Sequence, residues 1–220
     1  KKCLFMPADL SAGVEYSYNR LRDQIMGYGR DLLQNVHIYG GYVQNEWKNK
    51  QVSFLVGVRA EKHSMLKNPI FSPRANVRYT PIDEIVLRAS YASGYRAPQP
   101  YDEDLHVGAV GGEVSLIQLD PNLRPEKSHS VSLSADWAKR LGTWEANLTL
   151  EGFFTQLNDG FNLVENGHDE MGNLLLLRTN AKGARVAGIT FEAKFAYKQL
   201  FTFSVGYTYQ QSRYVEPVIW

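Results

Sequence analysis

The chain has 220 residues, with 24 basic and 23 acidic side chains and a formal net charge of +1. This near-neutral charge argues against a nucleic-acid-binding protein, and a hydrophobic fraction of 44% excludes a disordered chain. No run of about 18 apolar residues predicts a transmembrane helix. A single cysteine excludes an internal disulfide, while the aromatic fraction of 12% stands out as high.

Apolar and polar residues alternate along nine segments of the chain. This period of two is typical of strands with one apolar and one polar face. The alternation is clear in eight segments, 12–19, 52–59, 74–79, 85–92, 131–137, 144–151, 189–197 and 201–210. A ninth strand is predicted at 36–47, although neither of its two series is clearly apolar. Because no segment has a competing helical pattern, the predicted fold is all-β.

The connections between these segments alternate between short and long. Short connections are predicted at 7–10, 48–50, 80–83, 138–143 and 198–200, and long ones at 20–35, 62–72, 94–127 and 157–186. In an antiparallel meander, successive connections lie at opposite ends of the sheet, so all short turns share one end. Loops longer than about 15 residues are uncommon unless they are functional or disordered, which directs attention to the last two.

Three features favour a transmembrane β-barrel over a soluble β-sandwich. The strands reach about ten residues, the length that crosses a bilayer at a tilt. Aromatic residues flank both kinds of connection, as in the interfacial girdles of outer-membrane barrels; they are Trp47, Tyr79, Trp137, Trp144, Tyr197 and Phe201 near short turns, and Tyr16, Tyr18, Tyr91, Tyr207 and Tyr209 near long loops. The charged residues share one strand face, which suits a watery lumen; they include Glu15, Arg59, Arg74, Arg78, Arg88, Asp136, Glu145, Glu151, Glu192 and Lys194.

Several motifs resemble those of TonB-dependent outer-membrane receptors. Residues 71–98, FSPRANVRYTPIDEIVLRASYASGYRAP, resemble a hairpin of that family, and residues 120–128, DPNLRPEKS, resemble the start of its next strand. Residues 42–47, YVQNEW, and the segment 180–192 resemble two further strands, although Thr190 stands where the family usually has a glutamate. The combined resemblance covers residues 36–214.

The resemblance implies a barrel of about 22 strands that is filled by an N-terminal plug domain. It implies active uptake of a scarce nutrient, such as a ferric siderophore, haem or cobalamin, with energy delivered to the plug through the coupling protein TonB. Nine strands are too few, and closed bacterial barrels have an even number. Residues 1–220 are therefore expected to form part of the C-terminal half of the barrel, without the plug.

The same resemblance implies the cellular setting. The expected location is the bacterial outer membrane, with the tight turns in the periplasm and the long loops outside. The expected partners are outer-membrane lipid, the nutrient ligand and TonB, and neither a cofactor nor nucleic acid is expected. A passive porin-like channel and a soluble sandwich adhesin remain the alternatives.

The loop at 94–127 is predicted to contact the ligand. Guanidinium, phenol, carboxylate and imidazole groups can bind a metal chelate or its oxygen atoms; the candidates are Tyr95, Arg96, Tyr101, Glu103, Asp104 and His106. Arg96 could instead pair with a glutamate of the lumen, and the acidic residues, with the neighbouring Asp102, could form a solvated cluster. Their spacing matches no calcium loop, so no metal site is assigned.

Two further expectations concern the remaining polar residues and loops. His37, His63 and His129 are expected to stand alone at strand ends as surface or girdle residues, and residues 174–177, four leucines, are expected to continue a strand above the membrane. The chain has no nucleophile elbow, no HExxH motif and no phosphate-binding loop. An enzyme is therefore not predicted.

Overall fold

The computed structural model describes residues 2–3, 6–25, 30–98, 115–198 and 200–215. These residues form thirteen strands, β1 (Lys2–Cys3), β2 (Met6–Ile25), β3 (Arg30–Lys48), β4 (Val52–His63), β5 (Ile70–Ile82), β6 (Ile85–Arg96), β7 (Ser115–Leu119), β8 (Glu126–Leu141), β9 (Trp144–Asn158), β10 (Phe161–His168), β11 (Leu174–Asn180), β12 (Ala184–Tyr197) and β13 (Phe201–Tyr214). Within these ranges no helix is long and apolar enough to cross a membrane. The all-β prediction is confirmed.

Ten strands form one antiparallel sheet in the order β1-β2-β3-β4-β5-β6-β8-β9-β12-β13. Apart from the two-residue β1, its nine long strands correspond one to one with the nine predicted segments, so the meander is confirmed. The sheet stays open within the described ranges, with β1 and β13 at its edges. Its short turns fall at one end and its longer connections at the other, here called the turn end and the loop end.

The strand register sorts the side chains onto two faces. Leu133 on β8 pairs with Ala89 on β6 and Gly152 on β9, and Ile189 on β12 pairs with the same Gly152. Paired residues of neighbouring antiparallel strands share a face, so rows of apolar side chains run across all nine strands. We call this side the apolar face and the opposite side the polar face. All the charged residues predicted for a lumen lie on the polar face.

The apolar face is broadly exposed. Val14 is 93% exposed and Leu133 is 61% exposed, although both lie within long strands. The described residues enclose little core, whose buried apolar members are Val36, Leu66, Ala97, Ala146 and Ala193. An apolar surface of this extent is not stable in water, so this face requires an apolar environment.

The long strands extend further than predicted. They have up to 20 residues, in β2, where about ten were expected. The predicted loop at 20–35 is wrong, because β2 continues to Ile25 and β3 begins at Arg30. Arg22 and Asp31 form an ion pair across this extension at 2.5 Å. Alternation stops here because both faces can be polar beyond the apolar band, while the backbone ladder continues.

Three smaller differences concern local pairing. The predicted short connection at 7–10 is wrong, since these residues belong to β2; Pro7 is tolerated because it pairs only with the short edge strand β1. The predicted strand at 36–47, which had no clear apolar series, now has its faces assigned, because Val43 pairs with Ala12 and Val58 on the apolar face. Residues 174–177 form a strand as predicted, but β11 pairs with β10 and, in parallel, with β7 in a separate three-stranded sheet.

Candidate functional site

A cluster of charged side chains lies on the polar face near the loop end. Arg59 on β4 donates hydrogen bonds to Glu15 on β2 at 2.8 Å and to Glu61 at 2.9 Å. To reach Glu15 it crosses β3 at Gly40, where an added Cβ would come within 2.9 Å of the guanidinium. The Tyr95 phenol lies near this cluster, and its pKa is raised by burial and by the neighbouring Glu61 carboxylate. The predicted site residue Tyr95 therefore lies beside a polar cluster that spans β2 to β4.

Hydrogen bonds between neighbouring strands continue along the polar face. Arg88 pairs with Asp136, which also accepts a hydrogen bond from the Thr149 hydroxyl at 2.8 Å. Nearer the loop end, the Ser90 and Ser132 hydroxyls hydrogen-bond at 2.7 Å. Charges of both signs are thus matched on this face. Such a wall suits contact with water and hydrophilic solutes.

The predicted residue Arg96 lies at the base of the longest loops. Its Nε donates a hydrogen bond to Glu126 at 2.6 Å, and its guanidinium lies over the Phe161 ring at 4.9 Å. Glu126 is buried and also accepts a hydrogen bond from the backbone N–H of Phe161 at 2.5 Å. Arg178, which is also buried, lies 5.8 Å from the same ring. Arg96 therefore pairs with a glutamate, one of the two roles that its position allowed.

A second set of contacts surrounds Asn180. Its side-chain amide donates to the backbone carbonyls of Arg124 at 2.9 Å and Asp159 at 2.7 Å, and its oxygen accepts from the Arg124 N–H at 2.8 Å. The Arg124 guanidinium pairs with the Asp159 carboxylate at 2.7 Å. Asn180, the half-buried last residue of β11, thus joins the segment before β8 to the residue that follows β9.

Backbone contacts tighten the same region. The Ala181 N–H donates to the Gly160 carbonyl at 2.6 Å, and Gly183 adopts a φ of +94°. A Cβ at Gly183 would lie 2.0 Å from the Leu157 carbonyl oxygen, so only glycine fits. We call the assembly of Arg96, Arg124, Glu126, Asp159, Phe161, Arg178, Asn180 and Gly183 the loop base. It fastens the β6–β8 and β9–β12 connections into one unit.

The turn between β10 and β11 is organised by one carboxylate. Asp169 accepts hydrogen bonds from the Asn173 side-chain amide at 2.7 Å, the Asn173 N–H at 2.8 Å and the Met171 N–H at 2.9 Å. These bonds, led by the Asn173 amide, hold the pKa of Asp169 below its ordinary value. The turn at the tip of the three-stranded sheet is therefore ordered by local hydrogen bonding.

The family follows from comparison with known proteins. The model of the family described as TonB dependent receptor-like, beta-barrel matches residues 5–218. The chain belongs to this family. The recognised motifs therefore have physical roles in a TonB-dependent receptor barrel: Glu126 and Asn180, which lie within two of them, hold the loop base.

Solved structures share the fold of this receptor barrel. The siderophore receptor PirA from Pseudomonas aeruginosa is 21% identical with a TM-score of 0.75, over 96% of this chain and 40% of that chain. A mutant of the ferric enterobactin receptor PfeA from Pseudomonas aeruginosa, in complex with enterobactin, is 18% identical with a TM-score of 0.71, over 96% and 34%. The FrpB iron transporter from Neisseria meningitidis is 16% identical with a TM-score of 0.69, over 98% and 36%. The chain thus spans well under half of these structures, and no curated protein matches it.

The predicted site residues of the receptor fall into two groups. Tyr95 lies beside the polar cluster, and Arg96 lies in the loop base. Tyr101, Glu103, Asp104 and His106 lie outside the described residues. Sequence reasoning missed Glu126, Asp159 and Asn180 as site-forming residues. The motifs around Glu126 and Asn180 could have pointed to these two residues, but no sequence pattern indicated which residues they contact.

Two histidine predictions also need correction. His63 is buried rather than exposed, because the chain after β4 folds back and the Met65 N–H donates to its Nδ1 at 3.2 Å. His37 and His129 do not stand alone, since Nδ1 of each hydrogen-bonds a tyrosine hydroxyl at 2.9 Å. Both lie beside tyrosines of the aromatic girdle at the loop end, which is one of the two positions expected for them.

Proposed function

We propose that the chain is part of an outer-membrane receptor that takes up a scarce nutrient, and that the nutrient is an iron chelate of the ferric siderophore class. The family match over residues 5–218 carries the proposal. Members of this family are outer-membrane β-barrels that act as receptors. The structures with the same fold that are cited above are a siderophore receptor, a ferric enterobactin receptor and an iron transporter, which favours iron over cobalamin.

We also propose the orientation of the barrel, with the apolar face in lipid and the loop end outside the cell. The exposed apolar rows support this position. At the turn end, the Trp144 ring lies 4.9 Å from Tyr197 and 5.8 Å from Phe201. At the loop end, the Tyr16 and Tyr39 rings lie 5.0 Å apart. Amphipathic rings at both ends of an apolar band are typical of residues at a membrane–water interface.

The complete protein in this proposal has further parts. By family likeness it has a barrel of about 22 strands around a plug domain, and TonB acts on that plug to energise transport. Residues 1–220 contribute a nine-strand wall. The open edges of the sheet support this, because unpaired edges are not stable in a membrane and require neighbouring strands.

The polar face would form the inner wall of the transport path. Most of its arginines, such as Arg59, Arg74 and Arg88, already bond to a carboxylate or an amide, so a passing chelate would meet a hydrated surface with few strong binding sites. Ligand capture is assigned to the β6–β8 connection, where the candidates are Tyr95, Arg96, Tyr101, Glu103, Asp104 and His106. Arg96 would also have an anchoring role, because its ion pair with Glu126 holds the start of this connection against the loop base.

A growth experiment tests the nutrient class. The full-length gene is deleted, and the strain is grown with single sources of iron, namely catecholate siderophores, hydroxamate siderophores and haem, or with limiting cobalamin. We expect a growth defect on at least one ferric siderophore that the intact gene restores. A defect confined to cobalamin would reassign the ligand, and normal growth on every source would contradict the receptor proposal.

A further inference from the structure

A row of polar side chains crosses the apolar face at the loop end. The register pairs His129 on β8 with Gln156 on β9, Gln156 with Arg185 on β12, and Arg185 with Arg213 on β13. Four residues further along β12, Ile189 lies in the exposed apolar band. The row therefore lies just outside that band, on the side that faces outward from the barrel.

The two arginines of this row stand directly opposite each other. Both are exposed, and like charges on paired positions of neighbouring strands destabilise a sheet. Arg185 is held by Gln156, whose side-chain oxygen accepts a hydrogen bond from its Nε at 2.6 Å. Gln156 is itself tied to the backbone carbonyl of Leu157 at 3.0 Å. Within the described part of the chain, neither arginine has an acidic partner.

The charged residues described on the apolar face at the loop end are nearly all basic. At the loop end, the apolar-face positions of the long strands carry several basic residues, namely Arg20, Arg22, Lys62, Lys127, Arg185 and Arg213. The only acid at the described apolar-face positions of these strands is Asp31, which pairs with Arg22. The polar face, by contrast, has matched charges. The outward rim at the loop end is therefore cationic.

We propose that Arg185 and Arg213 bind the phosphate group of an anionic lipid in the outer leaflet. A phosphate between them would replace repulsion with charge-assisted hydrogen bonds, for which guanidinium groups are well suited. The neighbouring apolar rows, with Tyr207 and Tyr209, provide the surface along which acyl chains lie. This continuity between a cationic row and an apolar band specifies a lipid rather than a soluble anion. The inference rests on the membrane position proposed above.

The test uses the full-length receptor purified in a neutral detergent. Binding of diphosphorylated lipid A is measured by native mass spectrometry for the wild type, for the double variant Arg185→Gln/Arg213→Gln, and for Lys194→Gln. Lys194 is a matched control, because it is an exposed base on β12 that lies on the polar face. We expect affinity to fall about fivefold for each arginine and about twentyfold for both. The control variant should retain wild-type affinity, and lipid A without phosphates should bind all three proteins equally and weakly.

Other outcomes would overturn the inference. Equal affinity of the double variant and the wild type would do so, as would equally tight binding of dephosphorylated lipid A to the wild type. Competition by millimolar inorganic phosphate would instead indicate a soluble-anion site and reject the lipid. If the double variant does not fold, as judged by heat-dependent migration in gels, Arg213→Gln alone gives the same readout. Failure of the proposed function is a separate result, seen as absence of the protein from the outer-membrane fraction.

Discussion

Substitution of arginine for Leu133 tests the assignment of the two faces. Leu133 lies midway along β8 (Glu126–Leu141), so it is near the middle of the bilayer if the apolar face contacts lipid. Its paired neighbours, Ala89 and Gly152, offer no polar group to an arginine. An arginine on the lipid face near the midplane costs about 2–4 kcal/mol. We therefore expect Leu133→Arg to lower the free energy of unfolding by that amount.

The adjacent residue provides a matched control. Ser134 lies on the polar face and pairs with Arg88 on β6 and Glu151 on β9. A new arginine there meets one charge of each sign in water, so the expected change is below about 1 kcal/mol. Both variants of the full-length receptor are refolded into lipid vesicles and unfolded in denaturant, with tryptophan fluorescence as the signal. Equal losses, or a larger loss for Ser134→Arg, would refute the assignment.

The other predictions concern the loop end. Glu126→Gln removes the charge that binds Arg96, and it should destabilise the loop base by about 1–2 kcal/mol, measured by hydrogen exchange in the two long connections. Gly183→Ala places a Cβ against a carbonyl oxygen at a φ of +94° and should cost about 3 kcal/mol or more, measured by denaturant unfolding. The hydrogen bonds to the Asp169 carboxylate, led by that of the Asn173 amide, lower its pKa and stabilise the β10–β11 turn above the unfolded carboxyl pKa of about 4. This contribution is lost as pH falls through the folded pKa, so the hydrogen-exchange protection factors of the turn, which are corrected for intrinsic rates, should fall on acidification.

Each of these predictions has a control and a contradicting result. Glu145→Gln removes an exposed partner of Arg140 at the turn end and should leave loop exchange unchanged; loop protection that is the same in the Glu126→Gln variant and the wild type would contradict the first prediction. Gly142→Ala, at a φ of +67° with open space around it, should cost about 1–2 kcal/mol, less than Gly183→Ala. An Asp169→Asn variant whose turn keeps the same pH dependence would contradict the third.

The strand pattern was predictable because each strand separates two environments. Val131, Leu133 and Ala135 alternate with Ser132 and Ser134, and this pattern alone indicates the faces that the register confirms. Strand extent was not predictable in the same way. Arg22 and Asp31 lie beyond the apolar band, where neither face of a strand has to be apolar. The alternation of apolar and polar residues therefore stops there, although the backbone hydrogen bonds between β2 and β3 continue.

The loop base was only partly predictable. Motif resemblance drew attention to the segments that contain Arg96, Glu126 and Asn180, but not to their contacts. Those contacts join residues far apart in the chain, such as Arg96 with Glu126 or β7 with β11, and a local pattern carries no information about distant partners. His63 shows the same limit, since its burial depends on how the chain after β4 folds back.

The most direct test of the proposed function is uptake of radioactive iron by cells whose only receptor for a given ferric siderophore is the full-length protein. Uptake is measured over a range of ligand concentrations, with and without a protonophore. If transport is energised through TonB, as proposed, uptake should be saturable and the protonophore should abolish it. Uptake that rises linearly with concentration and persists without a proton gradient would contradict it and indicate a passive channel.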